Sequence, residues 1–365
     1  MIRRAWVAAA FAPGNARAAD GGGQTTARST SRSPVTTVSL APAVQRLIDE
    51  TPPGVPEHLS PAEQREYMHL LSDLIFLRYG LPGPEVHAVE DHRIPVDGGT
   101  ILVRLYRPSG DAPLPGHVAL HGGGWKLGSV TERVVDAICR QRCREANCVV
   151  LGVEYRLAPE HRFPVPVDDC YAAVTWAFAN ADALGLDAGN ISIGGASAGG
   201  NLAAAVTLRC RDEGGPHLCF QLLEVPALDL TRETTRATLA SGVIPDVPQP
   251  TMNDATSSYL ADPAQARDPL ASPFLADDLG GLPPAHIMTA EYDVLRTEGE
   301  LYAQRLGAAG VPATHRRYPG AMHGTAMLTR TWDQARQWQH DAVGALRLAH
   351  WTPTEPQPPT LVSSA

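Results

Sequence analysis

The chain has 365 residues, 44% of them hydrophobic and 19% charged, which is enough to bury a large core and excludes a wholly disordered protein. Thirty basic against 39 acidic side chains leave a formal charge of −9, which argues against a nucleic-acid backbone as partner. No stretch approaches the roughly 18 uninterrupted apolar residues of a membrane-spanning helix.

Charge is unevenly spread. Residues 1–38 carry Arg3, Arg4, Arg17, Arg28 and Arg32 against Asp20, a surplus of +4 that leaves −13 on the rest. This opening stretch, rich in Gly, Ser and Thr, reads as a flexible leader outside the fold. A basic start, the apolar run Trp6–Ala12 and the small residues Ala16 and Ala18 outline a marginal export signal. The cytoplasm is therefore the expected compartment, with export as the alternative. Of the cations only Lys126 is lysine, which reads as a bias of nucleotide composition. Six cysteines without a Cys-x-x-Cys pair read as small buried hydrophobes, with a Cys210–Cys219 bridge left open.

From Leu40 to Tyr79 the pattern is helical, broken at residues 51–56 by Thr-Pro-Pro-Gly-Val-Pro. Ser60-Pro61-Ala62-Glu63 is a helix start with a capping box, and Tyr67, Leu70, Leu71, Leu74, Ile75 and Phe76 fall mostly on one face. Residues 87–94 and 100–106 alternate around Asp97-Gly98-Gly99 and predict a hairpin. Short apolar runs follow at 118–120, 149–153, 191–193, 222–225 and 287–289, with a further strand at 313–318. Helical stretches at 131–146, 167–180, 198–211, 298–309 and 332–348 separate or follow them. Buried strands alternating with crossover helices predict an α/β protein with a mostly parallel sheet covered on both faces. The stretch 231–273, rich in Pro, Asp and Ser, is too long for a simple loop and reads as an inserted lid. Residues 352–365 read as a tail.

In such sheets ligands bind at the carboxyl ends of strands. Gly195-Ala196-Ser197-Ala198-Gly199 falls there, between a strand and a helix, where small residues on either side allow the sharp turn that presents a serine oxygen. Ser197 is the candidate nucleophile. His121-Gly122-Gly123-Gly124 follows another strand, and Gly123 and Gly124, with Ala198, are the candidate backbone donors to a developing oxyanion. His117 and His121 lack a third ligand at sensible spacing, so neither metal nor cofactor is expected. A serine nucleophile needs a base, and the base an orienting carboxylate. His323, in a glycine-flanked loop after a strand, is the candidate base. Asp293, at a strand end thirty residues earlier, is the candidate acid, with Glu291 as its competitor. Trp125, beside the glycine loop, is the candidate wall of the substrate pocket.

These segments, with Tyr155–Pro164, Asp293-Val294-Leu295-Arg296 and His323-Gly324, occur in an order that resembles the hormone-sensitive-lipase-like carboxylesterases of the α/β-hydrolase fold. The resemblance runs from about Leu40 to Trp351. It implies an eight-stranded sheet, a helical lid from residues 40–80 and about 231–273, and the triad Ser197–Asp293–His323 acting on carboxylic esters of short to medium chain. The implied partner is a small-molecule ester, with a homodimer compatible as the assembly. An amide, lactone or drug-ester hydrolase, and a receptor without turnover, are the alternatives. Arg156 and Glu160 are expected to satisfy each other or nearby backbone. Three positions depart from the family's habit. Ala196 stands where Asp usually precedes the serine, Val294 where Pro follows the acid, and Thr325 where Phe follows His-Gly. These departures bear on substrate preference more than on catalysis.

Overall fold

Ser60 accepts the backbone N–H of Glu63 at 3.4 Å while Glu63 takes that of Ser60 at 2.8 Å, so the predicted capping box starts the helix α2, Pro61–Tyr79. The computed structural model describes residues 40–51, 58–110, 113–242, 244 and 252–351. The chain divides into two compact units, Met1–Gly54 and Val55–Ala365. The described part of the first contains the helix α1, Pro42–Glu50, ended by the Thr51 hydroxyl donating to the Leu47 carbonyl. The expected leader, export signal and tail lie outside the described residues.

The second unit holds eight strands: β1 (Ala88–Val96), β2 (Gly99–Arg107), β3 (Leu114–Leu120), β4 (Val149–Glu154), β5 (Leu186–Ala196), β6 (Gln221–Glu224), β7 (Ala285–Ala290) and β8 (Ala313–Tyr318). They form one sheet in the order β1-β2-β4-β3-β5-β6-β7-β8. β1 and β2 make the predicted hairpin, closing on Val96 opposite Gly99, and only β2 runs against its neighbours. The crossover helices are α3 (Arg133–Ala146), α4 (Val165–Ala179), α5 (Ala198–Asp212) and α8 (Arg296–Ala308), and α9 (Asp333–Ala349) closes the described chain. Two short helices, α6 (Glu233–Ala240) and α7 (Met252–Tyr259), lie in the insert.

Strand alternation sorts side chains into two cores. Val118, Leu120, Ile191 and Ile193 join residues of α4 and α5 such as Val174, Leu202 and Val206. Ala119, Val150, Leu222 and Met288 face the other way and meet Cys139 and Cys143 of α3 and Trp338 and Leu346 of α9. The two-faced burial expected for a parallel sheet is thus realised. Of the six residues expected on the apolar face of α2, Leu71 and Phe76 are buried and Tyr67, Leu70, Leu74 and Ile75 are half-buried.

The structure settles one pairing left open and corrects one that was expected. All six cysteines are free, so no Cys210–Cys219 bridge forms. Arg156 and Glu160 do not satisfy each other. Arg156 forms a paired-hydrogen-bond bridge to the buried Asp169, and Glu160 takes Arg65 of α2. Both partners lie on helices that the sheet brings alongside.

Candidate active site

The turn after β5 is forced by close packing. A Cβ at Gly195 would stand 2.5 Å from the Leu120 carbonyl oxygen, and one at Gly199 2.1 Å from the same atom, so both positions admit only glycine. Between them Ser197 adopts φ 58°, ψ −116°, with its N–H donating to the Glu224 carbonyl at 2.8 Å. α5 begins at the next residue, so the Ser197 side chain sits at a helix N-terminus, where free N–H groups favour negative charge.

His323 and Asp293 arrive from the ends of β8 and β7. Asp293 is fully buried; one carboxylate oxygen accepts the Leu295 N–H at 3.0 Å and the other lies 2.7 Å from His323 Nδ1. A carboxylate only accepts, so Nδ1 carries the proton and Nε2 is left as an acceptor. Nε2 lies 3.0 Å from Ser197 Oγ. Burial alone would lower the His323 pKa, but the charge and hydrogen bond of Asp293 outweigh it and raise the pKa above the ordinary 6.5. Glu291, the competing acid, is occupied elsewhere: it accepts the Gly320 N–H at 2.7 Å and so shapes the loop that carries His323.

The glycine loop lies against the same turn. Gly123 and Gly124 take φ of 123° and 60°, and Gly122 passes so close that a Cβ there would come within 2.9 Å of the Ala196 carbonyl oxygen. Among the described residues neither Gly123 nor Gly124 donates its N–H to a protein acceptor, and the N–H of Ala198 is one of the unpaired donors of the first turn of α5. His121 belongs to the scaffold. Its ring stacks on Tyr155 at 4.3 Å and its carbonyl accepts the Tyr155 hydroxyl at 2.7 Å. Among the described residues no group of three metal-ligating side chains is gathered.

Trp125 is placed differently from the expected pocket wall. It is fully buried, donates its indole N–H to Asn201 at 3.2 Å and stacks on Tyr259 of α7 at 4.5 Å with the planes 4° apart. Next to it Lys126, the lone lysine, pairs with Asp254 of α7 at 2.6 Å. The inserted segment therefore grips the glycine loop.

A cavity of about 320 Å³ opens beside the turn, lined by Gly122, Gly123, Ala196 and Gly324, chain neighbours of the serine and histidine that do not themselves line it, and walled by apolar side chains from α2, α3 and the His323 loop. Its wall also holds a buried ion pair, Arg142 with Glu224, that the sequence reading passed over. A signal existed: Glu224 is a charge inside the apolar run 222–225, and charges in buried strands are rare unless paired. A serine hydroxyl on a sharp turn, an imidazole oriented by a buried carboxylate and unpaired N–H donors nearby, all at strand ends, are the arrangement of a serine hydrolase of the α/β class.

Comparison with known proteins agrees with this geometry. A family model described as alpha/beta hydrolase fold matches residues 117–327. The chain is 42% identical over 276 residues to the carboxylic ester hydrolase LipN of Mycobacterium tuberculosis, covering 73% of this chain and 72% of that one. It is 38% identical to an arylesterase of Saccharolobus solfataricus, covering 68% of this chain and 80% of that one. The crystal structure of EstE1, a thermostable carboxylesterase from a metagenomic library, superposes with a TM-score of 0.76 at 39% identity, covering 82% of this chain and all of that one. The chain belongs to the alpha/beta hydrolase family, in its hormone-sensitive-lipase-like branch.

Proposed function

We propose that the protein is a serine carboxylesterase acting on small esters of short to medium chain through an acyl-enzyme, with Ser197, His323 and Asp293 as its triad. The observation that carries this reading is the hydrogen-bonded series Asp293–His323–Ser197, 2.7 Å and 3.0 Å long. Nε2 of His323 takes the Ser197 proton as Oγ attacks the ester carbonyl. The imidazolium then forms beside Asp293, the group that raises its pKa. The N–H groups of Gly123, Gly124 and Ala198 receive the oxyanion; one such donor is worth roughly 3 kcal/mol in the transition state. His323 protonates the leaving alcohol, then draws a proton from the water that releases the acid. No step calls for a cofactor.

Relatives named as carboxylic ester hydrolase and arylesterase support an ester over an amide, and do not favour a receptor without turnover. The segments 61–79 and 231–273 act as the lid in this reading, supported by Met68 and Ser72 of α2 lining the cavity and by the grip of α7 on the glycine loop. No helix among the described residues is long and apolar enough to cross a membrane. The cytoplasm is the proposed compartment, with export as the alternative, because the apolar run Trp6–Ala12 is short for an export signal. Steady-state hydrolysis of p-nitrophenyl acetate, butyrate, octanoate and palmitate, with Ser197→Ala beside the wild type, tests the reading. Turnover highest on the shorter chains and lost in the variant is expected; a folded wild type no faster than the variant overturns it.

A further inference from the structure

The cavity beside the nucleophile does not end in hydrocarbon. Arg142 of α3 and Glu224 at the end of β6 are each about 4% exposed and form an ion pair there, and the second Glu224 oxygen accepts the indole N–H of Trp338 at 2.7 Å. Ala196 and Glu224 are register partners on adjacent parallel strands, so their side chains leave the sheet on the same face, and both line the cavity with Arg142. With only a methyl group at Ala196, the space between the nucleophile turn and the ion pair stays open.

A guanidinium carries five N–H donors. Among the described residues the Arg142 side chain has one acceptor, Glu224, and its Nε is buried without a partner. A buried donor that lacks a partner favours whatever brings the guanidinium an acceptor, and disfavours a hydrocarbon that strips water from it without replacing the hydrogen bond. The charge of Arg142 is already balanced by Glu224, and Glu132 adds a second carboxyl to the cavity wall, held by the Ser72 hydroxyl at 2.8 Å. An anionic group would therefore meet no net positive charge. A neutral oxygen meets free N–H groups and no repulsion.

We propose that this cavity is a specificity subsite for esters carrying a neutral oxygen acceptor (ketone, ether or hydroxyl) in the group it holds, with Arg142 as the residue that receives that oxygen. The inference rests on the esterase reading. It makes Arg142 a determinant of substrate choice and assigns it no part in bond cleavage.

The test compares p-nitrophenyl esters of 4-oxopentanoate, 5-oxohexanoate and 6-oxoheptanoate with the hydrocarbon acyl esters of equal length, each rate divided by that ester's own hydroxide-catalysed rate. A second arm uses acetates of the matching oxo-alcohols and plain alcohols, which tells whether the acyl or the alcohol group enters the cavity. The expected result is a tenfold or greater kcat/KM preference for the ketone at one chain length in one arm. Within the Arg142→Met/Glu224→Leu double variant, which leaves no lone buried charge, that ratio should fall to about one. Arg142→Lys, which keeps the ion pair but loses the planar donors, should reduce the ratio and serves where the double variant does not fold. A wild type that cleaves both series without preference at every length overturns the subsite, as does a preference that persists in both variants. A wild type that cleaves no ester overturns the esterase reading instead.

Discussion

Strand β5 carries one serine, Ser192, and the turn that follows it carries another, Ser197; both are held by histidines, and their contrast shows what separates chemistry from scaffolding. Ser197 Oγ lies 3.0 Å from His323 Nε2; five residues earlier, Ser192 Oγ lies 2.9 Å from His117 Nδ1 and 2.9 Å from His350 Nε2. By distance alone the two are equivalent. Ser197, however, sits on a sharp turn with φ 58° and is half-buried, whereas Ser192 lies fully buried in the middle of the strand and donates to the Gly116 carbonyl at 3.2 Å. His323 has a buried carboxylate behind it and its pKa is raised. Among the described residues His117 and His350 have no hydrogen-bonded carboxylate, and burial pushes the first well below 6.5 and the second down to about 4. Both rings are therefore neutral near pH 7. With the serine hydroxyl given to Gly116, each donates its N–H to Ser192 Oγ, pinning the end of α9 to the sheet. Asn190 adds a bond to the His350 carbonyl at 3.0 Å.

The largest expected effect separates the two serines. Ser197→Ala should lower kcat by about a millionfold. Ser192→Ala should leave kcat/KM within a few-fold and lower stability by about 1–3 kcal/mol, because two buried imidazoles lose their acceptor. Steady-state kinetics and denaturant titration on both variants would break the contrast if Ser192→Ala proved as inactive as Ser197→Ala.

The carboxylate is the next difference to remove. Asp293→Asn should cost about 10⁴-fold in kcat by disturbing the tautomer. In the wild type kcat/KM should fall with acid through a pKa above 6.5, since His323 must be unprotonated to act as base. In the variant that limb should move to lower pH, which a pH–rate profile reads directly.

The buried pair predicts an opposite sign in stability. The folded-state pKa of His350 is depressed below its unfolded value, so the unfolded chain binds more protons between about pH 6.5 and 4. Its contribution is complete above the unfolded pKa and is lost as pH falls toward the folded one. Urea unfolding should show a loss of about 2 kcal/mol from this group between pH 7 and 5. His350→Gln should flatten that dependence while leaving the acid limb of activity unmoved.

The smallest effect concerns the grip of α7 on the glycine loop, a support that only the outer serine has. Asp254 is 61% exposed, so Asp254→Asn should cost under about 1 kcal/mol, fading with added salt. A thermal melt at low and high salt checks it.

Much of the active site is legible in the chain because its signals are local. Gly195 and Gly199 are demanded by a turn two residues either side of Ser197, and Ser60 and Glu63 cap a helix across three residues. Each buried strand announces itself by a short apolar run, and the 131–146 and 198–211 helices are off by no more than two residues at either end. Even the choice of His323 follows from its setting between glycines after a strand. Contacts that join distant segments were not legible. Arg142 and Glu224 lie 82 positions apart, Arg65 and Glu160 lie 95 apart, and Trp125 meets Tyr259 across an insert.

The order of strands and helices, the nucleophile turn and the glycine loop were determined by the sequence alone, since backbone sterics and hydrophobic period act over a few residues. The partner of each buried charge, the burial of Trp125 and the two histidines that hold Ser192 were decided by the tertiary structure. Those depend on which side chains the sheet register and helix packing bring within hydrogen-bond reach, and on how much water they exclude.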